Sequence, residues 1–255
     1  MATNITIVGA DFSANPVGFS PPVARGLIGF GLPGVGALTG AAAQVKAAKN
    51  LAPGASPSAG SLVGSPTLEA LDAIFVGQSK YLDTLLAETK NATLMVVAST
   101  AATLSGTDIP ALIGNFQTAS VSHAFMNITA GAGAPAGVLR MGAALTANGT
   151  TSSVNAQRPV PDVTVPRFYA GRVEDGVGIT AYDKTGGTNT AVANVNPRPT
   201  PSANTIRVGS LFSNSYVGTH KNYFWAAHNV ALTDAEIEKT YQWAKGYFSR
   251  RGLTI

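Results

Sequence analysis

The segment from Thr233 to Gly252 constrains the fold most, because it is a strongly marked helix at the end of a chain that otherwise reads mainly as strands. Thr233 and, three residues on, Glu236 form a capping box, with Leu232 and Ile237 at the flanking staple positions. Ile237, Tyr241, Ala244 and Phe248 recur at helical spacing, so one face is apolar. Arg250 and Arg251 suit the negative end of the helix dipole, and Gly252 suits a C-terminal cap. Ile206–Gly209 and Asn222–His228 precede it as strands, separated by a polar excursion. An amphipathic helix must bury its stripe, and the partner available is sheet. The expected architecture is a β-structure closed off by one docked helix.

Upstream, strands are expected over Ile5–Gly9, Ile74–Val76, Tyr81–Thr84, Thr93–Ala98, Ala111–Gly114, His123–Thr129, Val138–Thr146, Arg167–Val173 and Ile179–Asp183. Thr93–Ala98 is a continuous apolar run, as in a central strand covered on both faces. Asp175-Gly176 signals a type I′ hairpin; Asn148-Gly149 signals a second, although prolines interrupt the strand after it. Pro21 and Pro22 exclude a central strand there, Thr39–Ala48 suits a short helix, and the segments 50–66 and 192–203 read as loops. All-β sandwiches of 255 residues are routinely one domain. A single unit over 1–255 is expected, with a strand and proline-rich arm over 1–26 and the helix over 233–251.

Two stretches carry a family resemblance. Val208-Gly209, Tyr216-Val217-Gly218, Asn229 and Ala231-Leu232-Thr233-Asp234-Ala235-Glu236-Ile237 resemble the closing segment of concanavalin A-like (laminin G-like) jelly-roll domains. The version they are most similar to occurs in bacteriophage and prophage tail-associated proteins. Tyr81–Thr84 followed by the threonine-led strand Thr93–Ala98 extends the resemblance. It implies a two-sheet antiparallel jelly-roll sandwich with one C-terminal helix, and a place on a virion.

Composition narrows the chemistry. Charged residues make up only 12% of the chain, about half the usual share. The net charge of +4 has no cluster beyond Arg250-Arg251, which argues against a nucleic-acid footprint and is compatible with an anionic polysaccharide surface. There is no cysteine, hence no disulfide and no thiolate metal site. Residues 1–13 lack the basic and apolar regions of a signal peptide, and no run of 18 apolar residues would span a membrane. These features suit a virion protein assembled in a reducing bacterial cytoplasm. A neutral surface rich in Ala, Gly and Thr suggests that subunit contacts contribute stability, so a homo-oligomer is expected.

Catalytic motifs are missing. Gly29-x-Gly31-x-x-Gly34 contains Pro33 and has no acid about twenty residues on, so it reads as a bend and not a nucleotide site. His123, His220 and His228 have no partner at metal-ligand spacing; His228 reads as a half-buried sheet residue and His220 as the most exposed of the three. Glucanases of the resembled fold use an E-x-D-x-(x)-E strand, which is absent here. Glu174-Asp175 and Glu69/Asp72 do not supply a facing carboxylate pair. No cofactor is called for. Calcium would require folding to gather Asp11, Asp83 and Asp183, with no motif in support.

What remains is binding. Sugar recognition combines an aromatic face with Asn, Asp, Arg and backbone groups. The polar loops offer Arg172, Tyr182 and Asp183 around the Asp175-Gly176 hairpin, and Asn214, Tyr216, His220 and Lys221 in the late excursion. A solvated loop or a subunit contact accounts for each equally well. Three functions follow in order of support. The first is a non-enzymatic virion protein on a tail, fibre or spike, binding host surface glycans. The second is a purely structural virion component contacting only other virion proteins. The third, a polysaccharide-degrading enzyme, is disfavoured by the missing carboxylate pair.

Overall fold

The structure, a computed structural model, describes residues 20–106 and 108–255. The expected strand Ile5–Gly9 and the acid Asp11 lie outside them. In chain order the elements are β1 (Leu27–Gly31), α1 (Gly40–Ala48), β2 (Ser61–Val63), β3 (Thr67–Leu68), β4 (Ala73–Val76), β5 (Tyr81–Ala87), β6 (Ala92–Thr100), β7 (Ala111–Gly114) and β8 (Ala124–Ala130). They continue with β9 (Gly137–Ala147), β10 (Thr150–Val160), β11 (Arg167–Glu174), β12 (Gly178–Asp183), β13 (Thr188–Ala193), β14 (Thr205–Val208), β15 (Thr219–His228) and α2 (Asp234–Ser249). The strands form two antiparallel sheets, β13-β12-β11-β6-β15-β4-β3 and β10-β9-β8-β7-β14-β5-β2, with β1 also paired to β15 in the first. The fold is the expected two-sheet sandwich with a C-terminal helix.

The eight-stranded sheet is buried on both sides. Leu94, Val96 and Ala98 of β6 face the inter-sheet core with Trp225, Tyr169 and Ile113, while Met95 and Val97 face outward onto Phe168, Phe224 and helix α2. Every residue of β6 is therefore buried, which is why its sequence is a run of apolar residues and not an alternation. The helix contributes the expected stripe: Ile237, Tyr241, Ala244 and Phe248 are all buried. Its capping box is formed, with Thr233 Oγ1 accepting from Glu236 N and Glu236 Oε2 accepting from Thr233 N at 2.8 Å. At the other end Leu253 N bonds Phe248 O and Gly252 N bonds Ser249 O, with Gly252 at φ +77°, a Schellman closure.

Both hairpin signals are realised, in different forms. Asn148 (φ +50°) and Gly149 (φ +76°) join β9 to β10 in a two-residue turn of the I′ kind. Pro159 is tolerated in β10 because that strand lies at the sheet edge. At Asp175-Gly176 the pairing instead closes at Glu174 and Gly178, giving a three-residue loop. The glycine-dense segment is β1 itself. A Cβ on Gly31 would sit 2.1 Å from Trp225 Nε1, and one on Gly29 2.5 Å from the same indole, so these glycines let the tryptophan ring lie against the strand.

One irregularity shapes the outer surface. Between Asn222 and Phe224 the pairing of β15 with β6 shifts by a residue, leaving Tyr223 as the extra member of a β-bulge. Tyr223 and Phe224 consequently both join the outer apolar cluster under the helix, and Tyr223 packs edge-on against Phe248 at 6.2 Å.

Truncating the helix stripe and removing its cap should separate in magnitude. Phe248→Ala is expected to cost about 3–5 kcal/mol, and Thr233→Ala about 1 kcal/mol, measured by urea unfolding. Equal effects from the two would mean that the helix is not held chiefly by its apolar face.

Candidate binding groove

The sites nominated from the sequence are dispersed by the fold. Arg172 and Tyr182 lie on strands beneath the helix N-terminus, where Arg172 Nη1 donates to Asp234 Oδ1 (2.8 Å) and Leu232 O (3.0 Å). Tyr182 Oη donates to the same Asp234 oxygen at 2.8 Å. Asp183 is buried against Arg167, whose Nε and Nη2 donate to it at 3.2 and 2.7 Å. The loop setting expected for these three is corrected to strand positions engaged with the helix and with each other's strands.

In the late excursion Asn214 is exposed as expected. Tyr216 is not: at 8% exposure it packs on Ala111, Leu211, Phe116 and Phe125, and burial raises its phenol pKa. His220, expected to be the most exposed histidine, is 1% exposed. The reason is strand length. Pairing of β15 with β4 begins at Thr219, three residues before the predicted start, and alternation turns His220 inward beside Phe75 (5.9 Å). Neither of its ring nitrogens has a hydrogen-bond partner, and burial lowers its pKa to about 3. His228 is buried and bonded to Arg25 O at 2.9 Å.

Two of the nominated residues, His220 and Lys221, reach the same cavity. On the outer face of the eight-stranded sheet a cavity of about 420 Å³ is lined by Ser99, Thr100, Thr164, Thr219, Lys221 and Tyr223, with Ile74, Ala101 and His220. Alternation on β15 puts Thr219, Lys221 and Tyr223 on this face, and the bulge brings Phe224 to the same side. The 161–166 loop supplies Thr164; it is pinned by Thr100 N donating to Val163 O at 2.8 Å and by Asp162 Oδ1 accepting from Thr164 N and Oγ1. A hydroxyl cluster, an aromatic ring and an ammonium thus converge from distant parts of the chain.

Behind Lys221 stand Glu69 and Asp72, the two acids set aside in the sequence as a catalytic pair. The turn between β3 and β4, closed by Glu69 N donating to Asp72 O (2.8 Å), brings Glu69 Oε2 to 2.7 Å and Asp72 Oδ1 to 3.9 Å from Lys221 Nζ. Asp72 is 5% exposed and its Oδ1 has no hydrogen-bond partner. Burial, opposed by Lys221 and reinforced by Glu69, pushes its pKa up to about 6, and hydrogen bonding to Glu69 raises it as well. Because the two acids face one cation, Lys221, they are not placed to flank a sugar as a glycosidase pair does.

No group of three or more His, Asp or Glu side chains suited to a metal ion occurs among the described residues. Asp83 and Asp183 lie in different sheets, each beside an arginine, Arg207 (3.9 Å) and Arg167. No helix among the described residues is long and apolar enough to cross a membrane.

No protein-family model and no curated protein matches the sequence. Solved structures do share the fold. The receptor binding domain of botulinum neurotoxin C/D mosaic serotype aligns with a TM-score of 0.52 and 10% identity over 87% of this chain and 52% of that one. The botulinum neurotoxin serotype D binding domain aligns with a TM-score of 0.54 and 9% identity over the same shares. The chain spans about half the length of these structures, and the likeness is one of fold.

Two outcomes follow from the burial seen here. Tyr216→Ala should behave as a core truncation, costing about 3 kcal/mol in urea unfolding, and not as the silent change a solvated loop would give. The pH dependence should also have a definite sign. His123 and His220, with pKa values lowered to about 4 and 3, and His228, also lowered, take up protons in the unfolded chain first, so stability falls as pH drops below 6.5. Asp72 acts oppositely: its folded pKa lies above its unfolded one, so its contribution improves as pH falls from about 6 toward 3.8. Asp72→Asn should therefore be most favourable relative to the parent above pH 6, with the difference shrinking toward pH 4. A pH-independent difference would remove Asp72 from this account.

Proposed function

We propose that the chain is a non-enzymatic, lectin-like attachment module that holds a host surface glycan in the groove around Lys221 and Tyr223. The observation that carries this reading is the groove itself: Ser99, Thr100, Thr164 and Thr219 hydroxyls, an ammonium and a tyrosine share one open cavity. Those are the partners a pyranose needs, with donors and acceptors for its hydroxyls and an apolar face for its ring. That the aligned structures are named a receptor binding domain and a binding domain supports a binding role. The tail-protein resemblance of Tyr81–Thr84 and Ala231–Ile237 and the lack of cysteine support a virion location, on a tail, fibre or spike, as a homo-oligomer.

A second reading, a structural virion component, is favoured by the exposed Leu38 and Val45 in and beside α1, which suit a protein contact. A host-glycan array separates the two. In the first reading the parent protein binds a subset of glycans, and Lys221→Ala or Thr164→Val weakens binding about tenfold while the melting temperature holds. Silence across an array that includes the host's own polysaccharide favours the structural component.

A further inference from the structure

Tyr223 is a wall shared by two cavities, and the second differs in charge from the first. On the far side of the tyrosine, a depression of about 480 Å³ is lined by Lys46, Arg251, Tyr223, Tyr247 and Phe248, with Leu32, Leu71 and small residues completing it. We infer that this second depression is an anion subsite of the same groove, taking the carboxylate of an acidic sugar such as a uronate or sialate. The inference rests on the glycan reading for its ligand and extends it to the charge of the sugar.

Three features argue for it. First, the lining holds two cations and no carboxylate. Among the described residues neither Lys46 nor Arg251 is in an ion pair, whereas eight other cations are (Arg25, Lys90, Arg167, Arg172, Lys184, Arg198, Arg207 and Lys221). Glu69 and Asp72, which flank the lining residues Ala70 and Leu71 in sequence, are directed to Lys221. Second, Arg251 is positioned. Its guanidinium carbon lies 3.7 Å from the centroid of the Tyr247 ring, Nη1 donates to Tyr247 O at 3.0 Å, and the ring in turn stacks on Trp243 at 5.2 Å. An arginine held flat in this way offers its remaining donors with little ordering cost, and a planar carboxylate matches them. Third, the opposite wall is held in place. Val35 N and Gly36 N donate to Glu69 O and Ala70 O at 2.9 and 3.0 Å, and a Cβ on Gly34 would lie 2.3 Å from the Leu71 backbone. The 33–36 segment is therefore laced to the β3–β4 turn, and Lys46 lines the cavity from the last turn of α1. The two aromatic walls, Tyr223 and Tyr247, give the carbon face of a sugar ring a surface to lie against.

The two cavities then differ in what they select. At Lys221 the ammonium is already compensated by Glu69 and Asp72, so that end favours hydroxyls. At Arg251 and Lys46 the charge is uncompensated, so that end favours an anion. A glycan with an acidic unit next to a neutral one would be oriented by this difference.

Chemical-shift titration of the ¹⁵N-labelled protein with glucuronate, glucose and acetate tests the assignment, using Arg251 Nε–H and the amides of residues 34–36 as reporters. Glucuronate should shift these signals strongly, glucose weakly, and acetate less than glucuronate. Arg251→Gln with Lys46→Gln should abolish the preference for glucuronate while the melting temperature and the response of residues 99, 164 and 221 to glucose persist. Equal responses to glucuronate and glucose at the Arg251 reporters, or an undiminished glucuronate response in the double variant, overturn the subsite. Acetate equal to glucuronate reduces it to a general anion site and overturns the sugar assignment. Loss of every sugar response at residues 99, 164 and 221, with the Arg251 response intact, would instead strike at the glycan groove proposed above and leave the anion subsite standing.

Discussion

Burial of the eight-stranded sheet on both faces is the constraint on which the rest depends. One face meets the seven-stranded sheet; the other meets α2, and the aromatic residues Phe30, Phe168, Tyr223 and Phe224 lie between sheet and helix. Without the helix, those rings would be exposed to water as a contiguous apolar patch, a cost of roughly 25 cal/mol per Å² uncovered. Docking is fixed in register as well as in energy. Arg172 and Tyr182 from adjacent strands both hold Asp234, and Arg25 holds Glu236 (2.7 Å from Nε) while also bonding Ala231 O. The helix N-terminus is thereby tied to the sheet by the same two acids that favour the positive end of its dipole.

The chain has few charges and uses most of its acids internally. Arg198 and Glu88 form a buried pair, which also receives bonds from Asn115, Ser122 and Ser202 and reaches Thr89 O, Lys90 O and His123 O. Through it the proline-containing 194–204 segment is fastened to the ends of β5, β7 and β8 in the seven-stranded sheet. A buried pair of this kind is tolerable because each partner is multiply hydrogen-bonded, and removing one would strand the other. Arg167 and Asp183 repeat the arrangement on a smaller scale. Polar residues that look available in the sequence are thus committed to holding loops and helix in place, which leaves the groove to a small remainder: Lys221, the hydroxyls beside it, and Lys46 and Arg251, which form no ion pair among the described residues.

The groove owes its shape to one extra residue. Without the bulge at Tyr223, strict alternation would turn either Tyr223 or Phe224 into the inter-sheet core. With it, Phe224 packs under the helix and Tyr223 stands at the helix margin, dividing the outer surface into a hydroxyl-lined side and a cationic side. The same shift puts Thr219, Lys221 and Tyr223, which share a face by alternation, on the same outward face as Phe224, while His220 and Asn222 point inward.

The helix, its cap and its stripe were readable because they depend on neighbours within four positions, where propensity and spacing act directly. The buried run of β6 and the Asn148-Gly149 turn were readable for the same reason. The apolar content and the family resemblance together carried the class of fold. The binding surface was not readable in this way. Ser99, Thr164, Lys221 and Tyr223 are brought together by strand pairing between β6 and β15 and by a loop pinned to Thr100, and of the four only Lys221 is marked by its local sequence. Tyr182, Asp183, Tyr216 and His220 looked like loop residues because polar neighbours surround them, yet pairing and packing bury all four. Local chemistry determined which segments are helix and strand. Only the tertiary structure decided which polar groups meet each other and which still face solvent, because that depends on contacts between residues tens to hundreds of positions apart.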